Sequence, residues 1–144
     1  MNIVQALLIG FVAGLRTLVA PAAVMIALRL PGAWIAAALA LFEMYGDKSP
    51  KAPARTVPPS LIARILFGGA SAFLLALYAS GRPWSMVLKP WPAAALGMIG
   101  ALAGTYGGYQ ARRALTRPGL FPDLAVALGE DAIAVILAYL VVTL

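Results

Sequence analysis

The chain alternates long apolar stretches with short polar or proline-rich connections. From this pattern we predict five membrane-spanning helical segments, at residues 3–28, 33–45, 61–79, 91–114 and 122–144. A helix rises about 1.5 Å per residue and the hydrocarbon core of a bilayer is about 30 Å thick, so about 20 apolar residues cross it. The pattern therefore predicts an all-α membrane protein that forms a single integral membrane domain over residues 1–144.

Two of these segments contain residues that interrupt helices. Gly14 and Pro21 lie in the first segment, and proline kinks a helix because it lacks a backbone donor. Gly104, Gly107 and Gly108 lie at the matching depth of the fourth segment. We therefore predict a helix break or hinge at both places, and such breaks free backbone groups that many transporters use as ligands.

The two ends of the chain resemble each other. A Pro-Gly turn opens the apolar run that reaches Glu43, and another opens the run that reaches Glu130, and a constant offset of 87 residues aligns the two runs. We predict an internal repeat, with repeat 1 at residues 1–50, a linking loop and helix at 51–87, and repeat 2 at 88–144. If three segments cross before the second copy, that copy is inverted, as in many secondary transporters.

Composition supports a membrane protein and narrows its chemistry. Of the 144 residues, 62% are hydrophobic and only 11% are charged, which is rare among soluble domains. Neither Cys nor His occurs, which excludes disulfides, thiolate metal sites and histidine general bases. Motifs of metalloproteases and serine hydrolases are also absent from the sequence. We therefore predict neither a cofactor nor an enzyme, with an intramembrane enzyme as the least favoured class.

The basic residues indicate an orientation. The net charge of +6 lies at segment ends and forms no continuous basic face, so we predict no nucleic-acid partner. The positive-inside rule then predicts a cytoplasmic N-terminus, with seven basic residues inside and three outside. The inner set is Lys48, Lys51, Arg55, Arg64, Arg112, Arg113 and Arg117, and the outer set is Arg29, Arg82 and Lys89. Arg112, Arg113 and Arg117 could also bind anionic lipid headgroups.

The acidic residues are confined to the last segment of each copy or to its ends. They are Glu43, Asp47, Asp123, Glu130 and Asp131. Glu43 and Glu130 would lie about 16 Å along their helices, near the bilayer midplane. We predict that Glu43, Glu130, Asp131 and Asp47 bind a cation or a small cationic solute, with Arg16 as a counter-charge. Glu43 and Glu130 would be the ligands if that cation is a metal ion.

A structural interpretation of the same charges stays open. An arginine at bilayer depth costs about 2.5–3.5 kcal/mol on insertion scales, so Arg16 needs a partner. Glu43 or Asp131 could neutralise it in an ion pair without any transport role.

The Gly-x-x-x-Gly patterns at 10–14 and 100–104 predict close helix packing within or between protomers, and we expect a homodimer.

Three motifs carry a resemblance to a known family. They are Gly14-Leu15-Arg16-Thr17 with Ala20-Pro21, Glu43-x-x-x-Asp47-Lys48-x-Pro50, and Gly129-Glu130-Asp131. The chain resembles small bacterial inner-membrane proteins that carry only a domain-of-unknown-function label, which implies a multi-pass inner-membrane protein and no established activity. Residues 43–49 are also similar to the Glu-x-Gly-Asp-Lys-Ser/Thr motif of Gdt-type calcium/manganese–proton antiporters. They have one extra residue, and the second copy lacks the Gly-Asp-Lys part.

The sequence thus favours a small transporter or channel for a cation or a small cationic solute, and proton coupling would fit because two nearby carboxylates can share a proton. Its partners would be the lipid bilayer, the transported cation and a second copy of the chain. The alternative is a membrane module that transports nothing and binds anionic lipid or a partner protein through its arginines and proline-rich loop.

Overall fold

The computed structural model describes residues 1–46, 57–79, 88–116 and 121–143, and within these ranges it contains six α-helices and no strand. The helices are α1 (Ile3–Leu15), α2 (Val19–Ala27), α3 (Ala33–Gly46), α4 (Pro58–Ala79), α5 (Pro90–Leu115) and α6 (Asp123–Thr143). The all-α prediction is confirmed. The last four helices match the predicted segments to within three residues at each end, whereas the first predicted segment is two helices.

α1 and α5 lie at the centre of the fold, and their backbones touch. A methyl group added at Gly10 would overlap the carbonyl group of Gly97, so no larger residue fits there without moving a helix. Small residues permit this close approach, which gains dispersion contacts along both backbones. The close packing predicted for residues 10–14 and 100–104 is therefore confirmed, within one chain.

The contacts between α1 and α5 also fix their relative direction. The Leu88 N–H donates a hydrogen bond to the Met1 carbonyl oxygen at 3.2 Å, and Gly10 lies against Gly97 further along both helices. Both pairs are 87 residues apart, so the two helices run in the same direction. The predicted inversion of the second copy is therefore wrong for its first helix, because the chain reverses once more than expected before α5.

That additional reversal occurs between α1 and α2. Arg16 is extended, with φ −138° and ψ 113°, and α2 begins three residues later. The interruption predicted near Gly14 is confirmed, and Gly14 itself lies in the last turn of α1. Pro21 breaks nothing, because it is the third residue of α2, where the backbone N–H that it lacks would have had no partner within the helix.

α5 continues without a break from Pro90 to Leu115, so the break predicted at Gly104, Gly107 and Gly108 is wrong. Each glycine costs a helix about 1 kcal/mol relative to alanine. Close packing against α1 compensates for that cost, since a methyl group at Gly104 would overlap the carbonyl group of Phe11.

α4 and α6 both run opposite to α1. In α4, Arg64 contacts Gly14 and Gly68 lies against Gly10, so the two helices are antiparallel. α6 begins beside the end of α5, and Asp131, eight residues later, pairs with Arg16. α2 leads away from this pair and lines a common cavity with the second half of α6, so α2 runs back alongside α1.

The fold therefore places Met1 and Thr143, the first and last residues that the structure describes, at the end that holds Leu88. The predicted orientation put residue 1 and Lys89 on opposite sides of the membrane. The hydrogen bond between Met1 and Leu88 contradicts that arrangement. The end of α3, the start of α4, the end of α5 and the start of α6 lie at the opposite end, which we call the basic end because it carries Arg112 and Arg113.

Two helices are long and apolar enough to cross a membrane, at Pro58–Tyr78 and Asp123–Thr143. Only 39% and 28% of these windows are buried within the protein, so both helices present most of their apolar surface outward. The first three helices are shorter, with 13 residues in α1, 9 in α2 and 14 in α3. None of these three helices is long enough to cross a membrane on its own. Five separate crossings are not found among the described residues.

Candidate functional site

The break between α1 and α2 exposes backbone groups that would normally bond within a helix. At the end of α1, the Arg64 Nη1 donates to the carbonyl oxygens of Gly14 and Leu15 at 2.6 and 2.9 Å. Thr105 Oγ1 also donates to the Gly14 carbonyl oxygen, at 3.3 Å. Arg64 is only 2% exposed, so its guanidinium group acts as a built-in cation at the negative end of the α1 dipole.

Glu43 caps the other side of the break. Its two carboxylate oxygens accept hydrogen bonds from the backbone N–H groups of Thr17 and Leu18, each at 2.8 Å. Both amides precede α2, where the helix dipole favours a negative charge. The carboxylate predicted to bind a cation therefore uses both of its oxygens to hold the broken helix.

Arg16 and Asp131 form a buried ion pair, with Arg16 Nη2 and Asp131 Oδ1 2.6 Å apart. Arg16 is 0% exposed and Asp131 is 8% exposed. Asp131 lies on the inner stripe of α6, whose other members are Ala127, Ala134, Ala138 and Val141. The partner that the sequence required for Arg16 is thus supplied by Asp131.

Glu130 is half-buried and occupies a different environment. It lines a cavity of about 520 Å³ between α1, α5 and α6, which we call the α1–α5–α6 cavity. Apolar side chains form most of its wall, and the larger ones are Phe11, Leu15, Leu115, Phe121, Val126 and Ile133. Arg112 is the other charged residue among those that line it, and it forms two hydrogen bonds with Asp123 at 2.9 and 2.8 Å.

The break thus gathers two guanidinium groups and two carboxylates, which come from α3, α4, α6 and the connection between α1 and α2. They are Arg16, Arg64, Glu43 and Asp131. Glu130 precedes Asp131 in α6 and lines the α1–α5–α6 cavity together with Leu15 at the end of α1. An acidic residue therefore lines a cavity at the depth of the break.

The predicted symmetry between Glu43 and Glu130 is not reproduced. Glu43 lies in the last turn of α3 and faces the start of α2, whereas Glu130 faces the α1–α5–α6 cavity. α6 begins at Asp123, so Glu130 lies about 10 Å along it, short of the expected 16 Å. The offset of 87 describes how α1 packs on α5 and does not extend to the surroundings of these carboxylates.

Other predicted site residues lie elsewhere or outside the described ranges. Asp47 and Arg117 fall outside the described residues. Arg113 is exposed near the end of α5, beside the paired Arg112. Among the described residues, no group of three or more acidic side chains is arranged to hold a metal ion, so a metal site at Glu43 and Glu130 stays a prediction.

Sequence reasoning missed Arg64 and Thr105 as members of the site. The sequence analysis places Arg64 at a segment end on the cytoplasmic side, whereas it follows the prolines that start α4 by about one and a half helical turns. A cation inside an apolar helix was the available signal, and it was the same signal that identified Arg16. Thr105 carries no comparable signal, because a threonine in a helix often bonds its own backbone, as Thr105 also does with Ala101 at 2.8 Å.

A second cavity, of about 640 Å³, lies between α2, α3 and α6. Its wall is apolar apart from Tyr139 and Thr143, and the Thr143 hydroxyl donates to carbonyl oxygens within its own helix. Of the described residues that line it, Tyr139 is the one with a titratable side chain, so they add no charged group to the site.

Comparison with protein-family models, with curated proteins and with solved structures gave no significant match.

Proposed function

We propose that the chain is a multi-pass membrane protein of the bacterial inner membrane. In this proposal α4, α5 and α6 cross the bilayer, α1 enters it from the end that holds Leu88 and stops at the helix break, and α2 and α3 form a hairpin whose two ends lie towards the basic end. The exposed apolar side chains of α3 support a location in the membrane, since Trp34 is 82% exposed and Phe42 is 73% exposed. Contiguous apolar surface of this kind marks a membrane or protein interface.

The same proposal assigns the basic end to the cytoplasm. The sequence that joins α3 to α4 contains Lys48, Lys51 and Arg55, and the sequence that joins α5 to α6 contains Arg117. The positive-inside rule then puts both chain ends on the other side of the membrane. Cysteine-accessibility labelling of a single cysteine at Asn2 and at Arg113 tests this, because Asn2 should react from outside and Arg113 from inside.

We further propose that the protein transports a monovalent cation, with Glu130 as the binding group. One observation carries the proposal: Glu130 lies at the depth of the helix break, next to the buried Arg16–Asp131 pair, and lines a cavity. Glu43 and the Arg16–Asp131 pair then support the site, because they hold the break and the start of α2 in place. Ionisable groups at membrane depth are expensive, which favours a functional role for such a cluster.

Flux in proteoliposomes tests this role. We expect Glu130→Gln to abolish uptake of radioactive rubidium, sodium or protons while the protein stays folded. Tyr139→Phe is the control, since it removes a polar group from the exposed surface of the same helix, outside the α1–α5–α6 cavity. Wild-type uptake of all three ions no higher than in empty vesicles, or full uptake by Glu130→Gln, would refute the proposed transport.

The alternative, a lipid- or partner-binding module, would depend on the arginines of the basic end. Arg112 is already engaged by Asp123 through two hydrogen bonds, which leaves less of its guanidinium group for a phosphate. Arg112→Gln with Arg113→Gln would abolish vesicle binding or partner binding under this alternative and leave Glu130-dependent flux unchanged under ours. The predicted homodimer stays a prediction.

A further inference from the structure

The turn between α2 and α3 holds an arginine in a backbone conformation that favours glycine. Arg29 has a φ of 53°, and among the described residues it is the one non-glycine residue with a positive φ. A residue with a Cβ atom is strained in this left-handed region, which is why many helices end in glycine at this position. Strain of this kind is often retained where a function depends on the side chain.

The end of α2 does not need the Arg29 side chain as a cap. The backbone N–H groups of Leu28, Arg29 and Leu30 already donate to three of the last carbonyl groups of α2, at 2.9, 3.1 and 2.9 Å. Arg29 is exposed, and no described residue forms a hydrogen bond or an ion pair with its guanidinium group. Within the described part of the chain, its charge is therefore available to a ligand.

An apolar cavity begins beside this turn. It is the cavity of about 640 Å³ between α2, α3 and α6, which we call the α2–α3–α6 cavity, and Ile26 and Ala27 line it shortly before Arg29. It extends along α2 to Val19, which lies about 12 Å from Ala27 along the helix. The described residues of its wall include no charged side chain. Leu41 in this wall is 68% exposed, so the cavity is open to the surroundings of the protein.

The same turn carries a marker of the membrane surface. α2 runs from the helix break towards the end that holds Leu88, and Thr143 at the end of α6 lines the same cavity. Trp34 is the second residue of α3 and is 82% exposed. Tryptophan is enriched at membrane–water interfaces, at the level of the lipid headgroups. In the proposed membrane orientation, Arg29 therefore lies beside headgroups and the cavity lies beside acyl chains.

We propose that the α2–α3–α6 cavity binds an anionic phospholipid, with its phosphate at Arg29 and one acyl chain along the apolar wall. The site rests on the proposed location in a membrane, and it does not depend on transport. A guanidinium group can form two parallel hydrogen bonds with a phosphate. The acyl chain needs no polar partner in the wall, and it removes apolar surface from contact with water.

The charge at the turn selects this ligand over others that fit an apolar cavity. A neutral apolar molecule would leave the Arg29 guanidinium group unused, and an organic cation would be repelled by it. An anionic amphiphile matches both the charge and the wall. Charge complementarity therefore identifies the occupant as a lipid with a negative headgroup.

Binding to the purified and delipidated protein in detergent tests the site. Native mass spectrometry compares phosphatidylglycerol with phosphatidylcholine that has the same two acyl chains. We expect phosphatidylglycerol to bind about fivefold more tightly, because one basic residue near anionic headgroups contributes about 1 kcal/mol. Equal binding of the two lipids would overturn the proposal, because the site would then show no charge selection.

Variants at the turn test the role of the charge. Arg29→Gln should abolish the preference for phosphatidylglycerol. Lys89→Gln is the matched control and should retain it, since Lys89 is an exposed cation beside Leu88 and lies outside the cavity. An unchanged preference in Arg29→Gln, or an equal loss of preference in Lys89→Gln, would contradict the assignment.

Arg29→Gly separates the ligand from the fold. It removes the same charge and also relieves the strained backbone, because glycine adopts a positive φ readily. We expect the same loss of preference, together with a melting temperature in lipid-free detergent at or above that of the wild type. A lower melting temperature with an unchanged lipid preference would show that Arg29 serves the fold alone.

A pair of alanine variants tests the position of the acyl chain. Ala37→Phe places a ring in the cavity and should lose the tighter binding of phosphatidylglycerol, whereas Ala38→Phe should keep it, since Ala38 is exposed and lies outside the cavity. Wild-type lipid binding by Ala37→Phe would refute the proposed position. A dimer that dissociates in Ala37→Phe, without any lipid preference in the wild type, would show that a second copy of the chain covers the cavity.

Failure of this site and failure of the proposed transport give different results. If phosphatidylglycerol binds with the expected variant effects but no cation crosses the vesicle membrane, the lipid site stands and transport is wrong. If flux depends on Glu130 but the wild type binds both lipids equally, transport stands and the lipid site is wrong.

Discussion

Asp131→Asn measures how strongly the buried ion pair holds α6 against the helix break. The substitution keeps the size of the side chain, so it opens no cavity, and it removes the charge that faces Arg16 at 2.6 Å. Arg16 is 0% exposed and cannot reach water without moving a helix. Removal of one member of a buried pair costs about 3–5 kcal/mol, because the other charge stays buried. A chain of this size would lose about 6–20 °C of its melting temperature in detergent.

The charge itself can be tested with a second variant. Arg16→Met combined with Asp131→Leu replaces both groups by apolar side chains of similar volume, and such replacements are often neutral. We expect the double variant to regain most of the lost stability, measured by thermal unfolding in one detergent for all proteins. A single variant as stable as the wild type, or a double variant as unstable as the single one, would refute the assignment.

Two further predictions follow from the break and from the helix crossing. Glu43→Gln keeps one acceptor and should cost about 1–2 kcal/mol, whereas Glu43→Ala loses both acceptors and should cost about 2–4 kcal/mol. Hydrogen exchange at the amides of Thr17 and Leu18 should accelerate in both variants, and unchanged exchange would contradict the cap. Gly10→Leu should cost at least about 1–3 kcal/mol by overpacking, whereas Gly46→Leu should stay within about 0.5 kcal/mol in the same unfolding assay.

The sequence predicted the helices well because each one is a long apolar run with clear punctuation. The Pro31-Gly32 turn precedes α3 as predicted, whereas α4 begins at Pro58, three residues before the predicted start, because proline is tolerated in the first turn of a helix. Glycine inside α5 misled the prediction, because intrinsic propensity cannot anticipate that Gly104 packs against the α1 backbone. That packing depends on a second helix, so the sequence of α5 alone does not indicate it.

The direction of the helices was not available from the sequence. The repeat offset of 87 was read as symmetry, whereas the structure shows it as the register of two parallel helices in contact, as at Gly10 and Gly97. The sequence indicated three charged residues of the site, because a charge within an apolar segment is rare. They are Arg16, Glu130 and Asp131. Their pairing was not found, since Arg16 could have met Glu43 as easily as Asp131 until the fold decided it.

The central position of α1 has a consequence for biosynthesis. α1 is made before α4, α5 and α6, which surround it. At about 5–20 residues per second, the roughly 115 residues from Arg16 to Asp131 take about 6–23 seconds to translate. For that interval the Arg16 guanidinium group lacks Asp131, so the break between α1 and α2 must stay in contact with water until α6 has been made.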